Sequence, residues 1–319
     1  MTKYTFNYCV ADMYEQELQK WGKTVYDLVR ELGVDGIEQF VYQLDRPAKS
    51  YKDITIGTHL SYWPYWMDFW LGKQERLQKI FPGPQDLQKY FFGATNKEEW
   101  LEVIRKNILA AATENPEYMV WHVSESTIEE VFTYKCRYDS YEILQQAAKV
   151  FNQVADVVPS TTTILFENLW WPGLNLLDPH QVEYFFERIE SKNVGIMLDT
   201  GHLLNTNPNL RTEAEGADYV CRMVERLGEG AELIKGIHLS CSLSGDYQRS
   251  FVREVPKDCN YHTIWQHLTS IDQHRPFVTA ASRQIIDFVQ PDYVLNELAH
   301  KNLHELYENV KIQSASYGG

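Results

Sequence analysis

Asp199 and His202 stand at the end of VGIMLDTGH (residues 194–202). There an apolar run meets a carboxylate, Thr200 and Gly201 turn the chain, and an imidazole follows. A buried strand that delivers Asp and His on a tight glycine turn is how parallel α/β folds build a site at their strands' carboxyl ends. Five further apolar runs carry the same chemistry at or next to their ends: His59, His122, Glu167, His238 and Glu297. Strand ends taken at random are mostly small or hydroxylated, so this set of carboxylates and imidazoles points to one purpose. A buried carboxylate needs a partner, and a cation is the obvious one. Mixed imidazole–carboxylate sets suit zinc or manganese, with cobalt or iron as further options, whereas magnesium takes fewer imidazoles. Trp170 and Trp171 come soon after Glu167 and could either stack on a sugar ring or simply pack at the mouth.

These residues need a scaffold, and the rest of the chain supplies the pattern of one. Short apolar strands are expected at 4–10, 36–40, 54–60, 118–123, 162–166, 194–199, 233–239 and 293–297. Amphipathic helices separate many of them: 24–32 ended by Gly33, one opened by an Asn96/Glu99 capping box and running to about 113, 141–157, one opened by Asp178-Pro179, 217–227, 261–271, 279–289 and 299–313. Strands alternating with helices, with no linker or repeat, predict a single α/β domain over residues 1–319, a (β/α)8 TIM barrel. Two stretches interrupt the alternation. Residues 61–93, after the third strand, form an insertion crowded with aromatics and broken by Pro64, Pro82 and Pro84. It reads as a lid, a pocket wall, a subunit contact that would make a homodimer, or a small satellite core. Residues 240–291 form an extended segment before the last strand. An alternative eighth strand at 276–281 ends without a carboxylate, so 293–297 is preferred.

Composition narrows the partners. Hydrophobic residues at 44% and aromatics at 13% suffice for a large core. No apolar run reaches the length of a membrane helix, and the start lacks a signal-peptide layout. Five scattered cysteines without a CxxC pair fit a reduced, cytoplasmic protein. The net charge of −14 and the lack of any basic run argue against non-specific affinity for nucleic acid, which is not an expected partner; a small-molecule substrate is expected instead.

The motifs LGVDGIEQF (32–40), FENLWWP (166–172), LDTGH (198–202) and GIHLS (236–240) resemble those of the xylose-isomerase-like TIM-barrel superfamily, across nearly the whole chain. That superfamily includes sugar and sugar-phosphate isomerases and epimerases, and endonuclease IV-like proteins. The resemblance implies a divalent metal held by Glu167, Asp199, His238 and Glu297. The interval between His238 and Glu297 is longer than the family's usual one. Endonuclease IV-like members use more ligands, in a three-zinc cluster. Positions similar to theirs are His59 (in THLSYW), His122 (in VWHVSE), His202 and Asp272-Gln273-His274. The last match is loose and also reads as a helix C-terminal cap beside a solvent-facing pair. His262, His267, His300 and His304 read as helix-surface residues.

The resemblance leads to an isomerase or epimerase acting on a sugar or sugar phosphate. The metal would polarise a carbonyl while Glu167 and Glu297, on opposite sides of the substrate, remove and return a proton through an enediolate, with His202 steadying an oxygen. The surplus of histidines keeps a second reading open, a metal-dependent hydrolase with a multi-zinc site acting on a small phosphoester or related bond. In it His202 is a ligand to a further metal instead of a substrate contact. A barrel that binds a ligand without turning it over is the third.

Overall fold

The computed structural model describes residues 1–318, and in it the eight strands close into one parallel barrel. They are β1 (Lys3–Cys9), β2 (Gly36–Phe40), β3 (Thr55–His59), β4 (Tyr118–His122), β5 (Thr163–Glu167), β6 (Val194–Asp199), β7 (Ile234–Leu239) and β8 (Tyr293–Asn296). Each pairs with its sequence neighbour, and β8 returns to β1 through Lys3↔Tyr293 to Phe6↔Asn296. The fold is therefore the (β/α)8 barrel expected, with strand bounds shifted by about one residue. Glu297 falls one position past β8 rather than within it.

The barrel axis is filled by side chains. Tyr118, Val120, Leu165 and Met197 form a small interior cluster below the strand ends. Close packing leaves little freedom there. The Tyr118 ring occupies the place a side chain on Gly57 would take, since a Cβ at Gly57 would stand 2.1 Å from the tyrosine Cζ. Outside, a large core runs between the strands and the helices, and a second one, built from Phe6, Tyr8, Leu28, Ile37, Leu303 and Val310, closes the seam between β1, β2 and the C-terminal helix Leu303–Tyr317. That helix also reaches the barrel by hydrogen bonds. Gln313 Nε2 donates to Asn296 Oδ1 at 2.9 Å, and Asn296 Nδ2 donates to the Thr5 carbonyl at 2.9 Å.

Local signals set most helix bounds. Thr24 and Asp27 form a reciprocal capping box for Val25–Leu32, and Gly33 ends it in the left-handed conformation. Asn96 does cap Lys97–Ala112, but Glu99 reaches back to Thr95 rather than to Asn96, so the expected box is only half formed. Helices also occur where none was predicted, at Asp12–Trp21 and in short turns after β3 and β4. The helix expected at 141–157 stops at Asn152 and yields to a single 3-10 turn.

The aromatic stretch 61–93 folds into three short helices, Met67–Trp70, Gln74–Ile80 and Pro84–Tyr90. Trp63, Trp66, Phe69 and Phe91 gather around Trp100 of the next long helix and join the main core. The fully buried Asp68 carboxylate ties this stretch to the segment after β4, accepting from Tyr65, Arg76, Arg137 and Tyr138. The stretch is packed as core, and its first residues form part of the barrel mouth. Among the described residues no helix is long and apolar enough to cross a membrane, and the five cysteines are unpaired.

Candidate metal centre

The strand ends interlock before they present any chemistry. Asn168, next to Glu167, grips the Asp199 backbone from both sides, accepting from its N–H at 2.8 Å and donating to its carbonyl at 3.0 Å. Thr200 Oγ1 donates to the Ser240 carbonyl at 2.7 Å and accepts from the Ser240 N–H at 3.0 Å, fastening β6 to β7. Gly201 is needed at the turn because a Cβ there would lie 2.5 Å from Ser240 Oγ. The Asp199 carboxylate caps the helix that begins at Thr200, accepting from the His202 N–H at 2.6 Å. Register does the rest, pairing His122 with Glu167 and Asp199 with His238 at one level.

Glu167 is the hub. It is fully buried, with Oε2 3.2 Å from His59 Nε2 and 3.4 Å from His238 Nδ1, while Oε1 lies 3.4 Å from His122 Nε2 and 3.2 Å from His202 Nδ1. Glu297 Oε2 approaches His238 Nδ1 to 2.8 Å, and Asp199 Oδ2 stands 4.0 Å from the same nitrogen. Ligand-type atoms fall into four overlapping groups, each within 4.8 Å of one another. They are Glu167/Asp199/His238/Glu297, His59/His122/Glu167, Asp199/His202/His274 and Glu38/His59/His238. The structure thus gathers all the strand-end residues singled out in the sequence.

It also brings in Asp272 and His274. Asp272 does follow the helix Tyr261–Ile271 as a cap, but its carboxylate turns inward, 3.3 Å from His202 Nε2 and 2.7 Å from His274 Nε2. The pair is mostly buried and does not face solvent, which corrects that reading. His274 holds a left-handed φ of 43°, uncommon for a residue with a side chain; such strain collects at functional sites.

Two other expectations are corrected. Trp171 is buried in a satellite cluster with Val131 and Leu169, so it offers no face to a substrate, whereas Trp170 lies 5.2 Å from the His202 ring. His267 is not on a helix surface. It is buried, bonded to Tyr247 Oη and the Val131 carbonyl.

Glu38 was missed. It sits in the middle of β2, fully buried, with Oε2 accepting from Tyr118 Oη at 2.7 Å and lying 3.2 Å from His238 Nε2. The signal was available, since Glu38 alternates with Ile37 along the strand and so points to the barrel interior when Ile37 faces the helices. Reading only strand ends passed over it.

The electrostatics are those of a centre short of positive charge. Burial alone would raise the Glu167 carboxyl, but His122 and His238 hold it well below the usual carboxylate range. Burial pushes Asp199 up to about 7 against the pull of His202 and His274. Burial also opposes ionisation of Asp272 and Glu297, and their histidine neighbours override it and lower both. Burial disfavours the imidazolium forms of His202, His238 and His274, yet the carboxylates around them raise all three, His274 to about 10. His59 is raised against its burial by Glu167, whereas burial lowers His122. Protons on imidazoles here stand where cations could.

Whether a metal fits is answered by the atoms left over. Glu167 Oε1, Asp199 Oδ2, His238 Nδ1 and Glu297 Oε2 are shut off from solvent with no well-formed hydrogen bond, the close His238–Glu297 approach included, and they belong to one four-residue group. Buried polar atoms are rarely left so. The imidazoles are also pre-set. The far nitrogens of four of them meet an acceptor: His59 Nδ1 the Leu60 carbonyl, His202 Nδ1 the Asn168 carbonyl, His274 Nδ1 the Glu297 carbonyl, and His238 Nε2 the Glu38 carboxylate. Metal-ligating histidines carry this second contact almost without exception, because it selects the tautomer and orients the ring. The residues fit a centre for divalent ions.

Comparisons with known proteins bear on the fold that carries these residues. Endonuclease IV from Thermus thermophilus superposes with a TM-score of 0.55 at 13% identity, covering 99% of this chain and 99% of that one. A D-tagatose 3-epimerase-like protein gives 0.55 at 16% identity, with 99% and 97% covered. An L-ribulose 3-epimerase gives 0.54 at 14% identity, with 100% and 94% covered. At these identities the likeness is one of fold. No curated protein sequence matches the chain. A family does, over residues 26–297, and by that match the chain belongs to the xylose isomerase-like TIM barrel family.

Proposed function

We propose that this protein is a hydrolase of small phosphoesters working through a cluster of divalent ions, three when full. The observation that carries the reading is the excess of ligand-type side chains. Glu167, Asp199, Asp272, Glu297 and five histidines converge in overlapping groups around Glu167. A single ion of the zinc class takes about four ligands. The isomerase reading accounts for Glu167, Asp199, His238 and Glu297, with His202 on the substrate, and leaves His59, His122, Asp272 and His274 without a purpose.

Charge supports the same reading. Five carboxylates, Glu38 included, surround the five imidazoles, so the centre needs several positive charges before it can accept an anionic substrate. With every imidazole ligating and neutral, three divalent ions would bring it to a formal +1 (6 − 5). Ions held in such a cradle would supply Lewis-acid polarisation of a phosphoryl group and of the attacking water. The chain's own residues do the arranging. Glu167, with Oε2 between His59 and His238 and Oε1 toward His122, spaces neighbouring subsites. Glu38 and the three backbone carbonyls keep the ligand nitrogens aimed inward. Phe40, Tyr62 and Trp170 flank His59, His122 and His202 and wall the mouth against bulk water. The net charge of −14 favours a small phosphoester over a nucleic acid.

The test is an ion count together with a substrate panel. Zinc- or manganese-loaded protein should hold more than two ions per chain by plasma mass spectrometry and should hydrolyse aryl or sugar phosphates, with His202→Ala and Asp272→Asn abolishing turnover. One ion per chain, with exchange of a ketose C–H into deuterated water, would establish the sugar isomerase or epimerase instead. Cleavage of an abasic-site oligonucleotide in preference to small phosphoesters would make the substrate DNA.

A further inference from the structure

The five histidines are not equally held. Four pass their second nitrogen to a carbonyl or carboxylate, at 2.8 to 3.2 Å. His122 does not. Its Nε2 faces Glu167 Oε1 at 3.4 Å, but its Nδ1 is closed off from solvent with no acceptor from the chain. The pocket behind it is largely aromatic and aliphatic, walled by Tyr62, Trp66, Trp100, Ile104 and Trp121. Ring contacts orient His122 in place of a hydrogen bond. Tyr62 lies 4.5 Å from it at an interplanar angle of 33°, and His59 lies 4.7 Å away on β3. The Tyr62 hydroxyl is itself buried and unpartnered, so its ring, not its oxygen, makes the contact.

An imidazole that ligates through Nε2 carries its proton on Nδ1, and here no atom of the chain receives that buried N–H. Such a donor is costly, and loss of the second contact typically weakens metal affinity about 10- to 100-fold. We propose that Tyr62 is the positioning residue of His122, and that the ion held by His59, His122 and Glu167 exchanges before the others. This rests on the multi-ion reading above. It gives the aromatic stretch after β3 a function, because its second residue governs the hold on one ion.

The experiment is equilibrium dialysis of the full, zinc-loaded chain against graded dipicolinic acid, counting zinc per chain at each step. Native protein should release one ion at a chelator activity about 10- to 100-fold below that which removes the rest. His122→Ala should start one ion short and lack this early phase. Tyr62→Ala should shift the early phase about tenfold lower, Tyr62→Phe should restore it, and Tyr62→Leu provides a second ring-less variant should the alanine chain fail to fold. Ions leaving together, an early phase that disappears in Asp272→Asn instead of His122→Ala, or a Tyr62→Leu curve matching the native one would each overturn the inference while leaving the multi-ion reading standing. Freshly loaded protein holding a single ion would overturn that reading, and the inference with it.

Discussion

Glu38→Gln separates the chemistry of the centre from its architecture. Glu38 meets the cluster by a hydrogen bond to His238, whose Nε2 lies 3.2 Å from Oε2, and it accepts from Tyr118 Oη with the same oxygen at 2.7 Å. A glutamine carbonyl placed there accepts from both donors, so shape and hydrogen bonds survive while the negative charge is lost. What falls is the basicity of Nδ1, the nitrogen that faces Glu167, Asp199 and Glu297. Removing an outer contact of this kind costs about 10- to 100-fold in metal affinity, roughly 1.4 to 2.8 kcal/mol. The conservative change belongs at the lower end, near tenfold. Glu38→Leu strands both donors in the barrel interior at about 1–3 kcal/mol each, so it should lower the thermal midpoint as well as affinity. Competition of zinc against a chromophoric chelator measures affinity, and calorimetry with excess chelator measures the metal-free fold. If Glu38→Gln binds zinc within twofold of the native chain, Glu38 does not tune His238 and the pre-set imidazole argument is wrong.

Three further outcomes follow from other parts of the molecule. Burial raises the Glu125 carboxyl well above the usual range although it accepts from the Trp66 and Met67 N–H groups. A raised carboxyl contributes stability that is present below its unfolded pKa, about 4.3, and is lost as pH rises. Glu125→Gln should therefore raise the melting temperature at pH 8 relative to native, with the gap closing by pH 4; equal gaps at both values would refute the assignment. Gly57→Ala drives a methyl into the Tyr118 ring, which Glu38 holds in place, and should cost about 3 kcal/mol or more by chemical denaturation. Stripping the ions with chelator should lower the melting temperature, and zinc at about 100 times its dissociation constant should restore about 2.7 kcal/mol per site; a chelated protein melting unchanged would argue against a metal centre.

The barrel was legible because its signals are local and repeated. Eight apolar runs alternate with helices, and several helices announce themselves by caps such as Thr24/Asp27 and Gly33. What escaped depended on tertiary support. Asp12–Trp21 begins at Ala11 without a side-chain cap and buries only Leu18, so neither its start nor its apolar stripe stands out. Glu99 had two acceptable backbone donors one residue apart, and only the loop geometry chose Thr95.

The candidate centre was legible to the depth of one rule. Reading the last one or two residues of each strand recovers His59, His122, Glu167, Asp199 and His238, because β-geometry alone brings those positions to one end. It cannot recover Glu38, two residues short of the end of β2. Nor can it judge Asp272 and His274, which reach the centre from a long connection through a strained backbone at His274 and the Ser242 hydroxyl that accepts from the His274 N–H at 3.3 Å. Yet these three residues bear most on function. Glu38 sets the tautomer of one ligand, and Asp272 with His274 adds a subsite that a single-ion enzyme does not need. Of the first five, Glu167, Asp199 and His238 are common ground for both catalytic readings, while His59 and His122 are surplus to the isomerase. Discrimination between isomerase and hydrolase therefore rests on these two histidines and on residues whose contribution appears only once the chain is folded, and the Asp272→Asn ion count is the measurement that bears on it most directly.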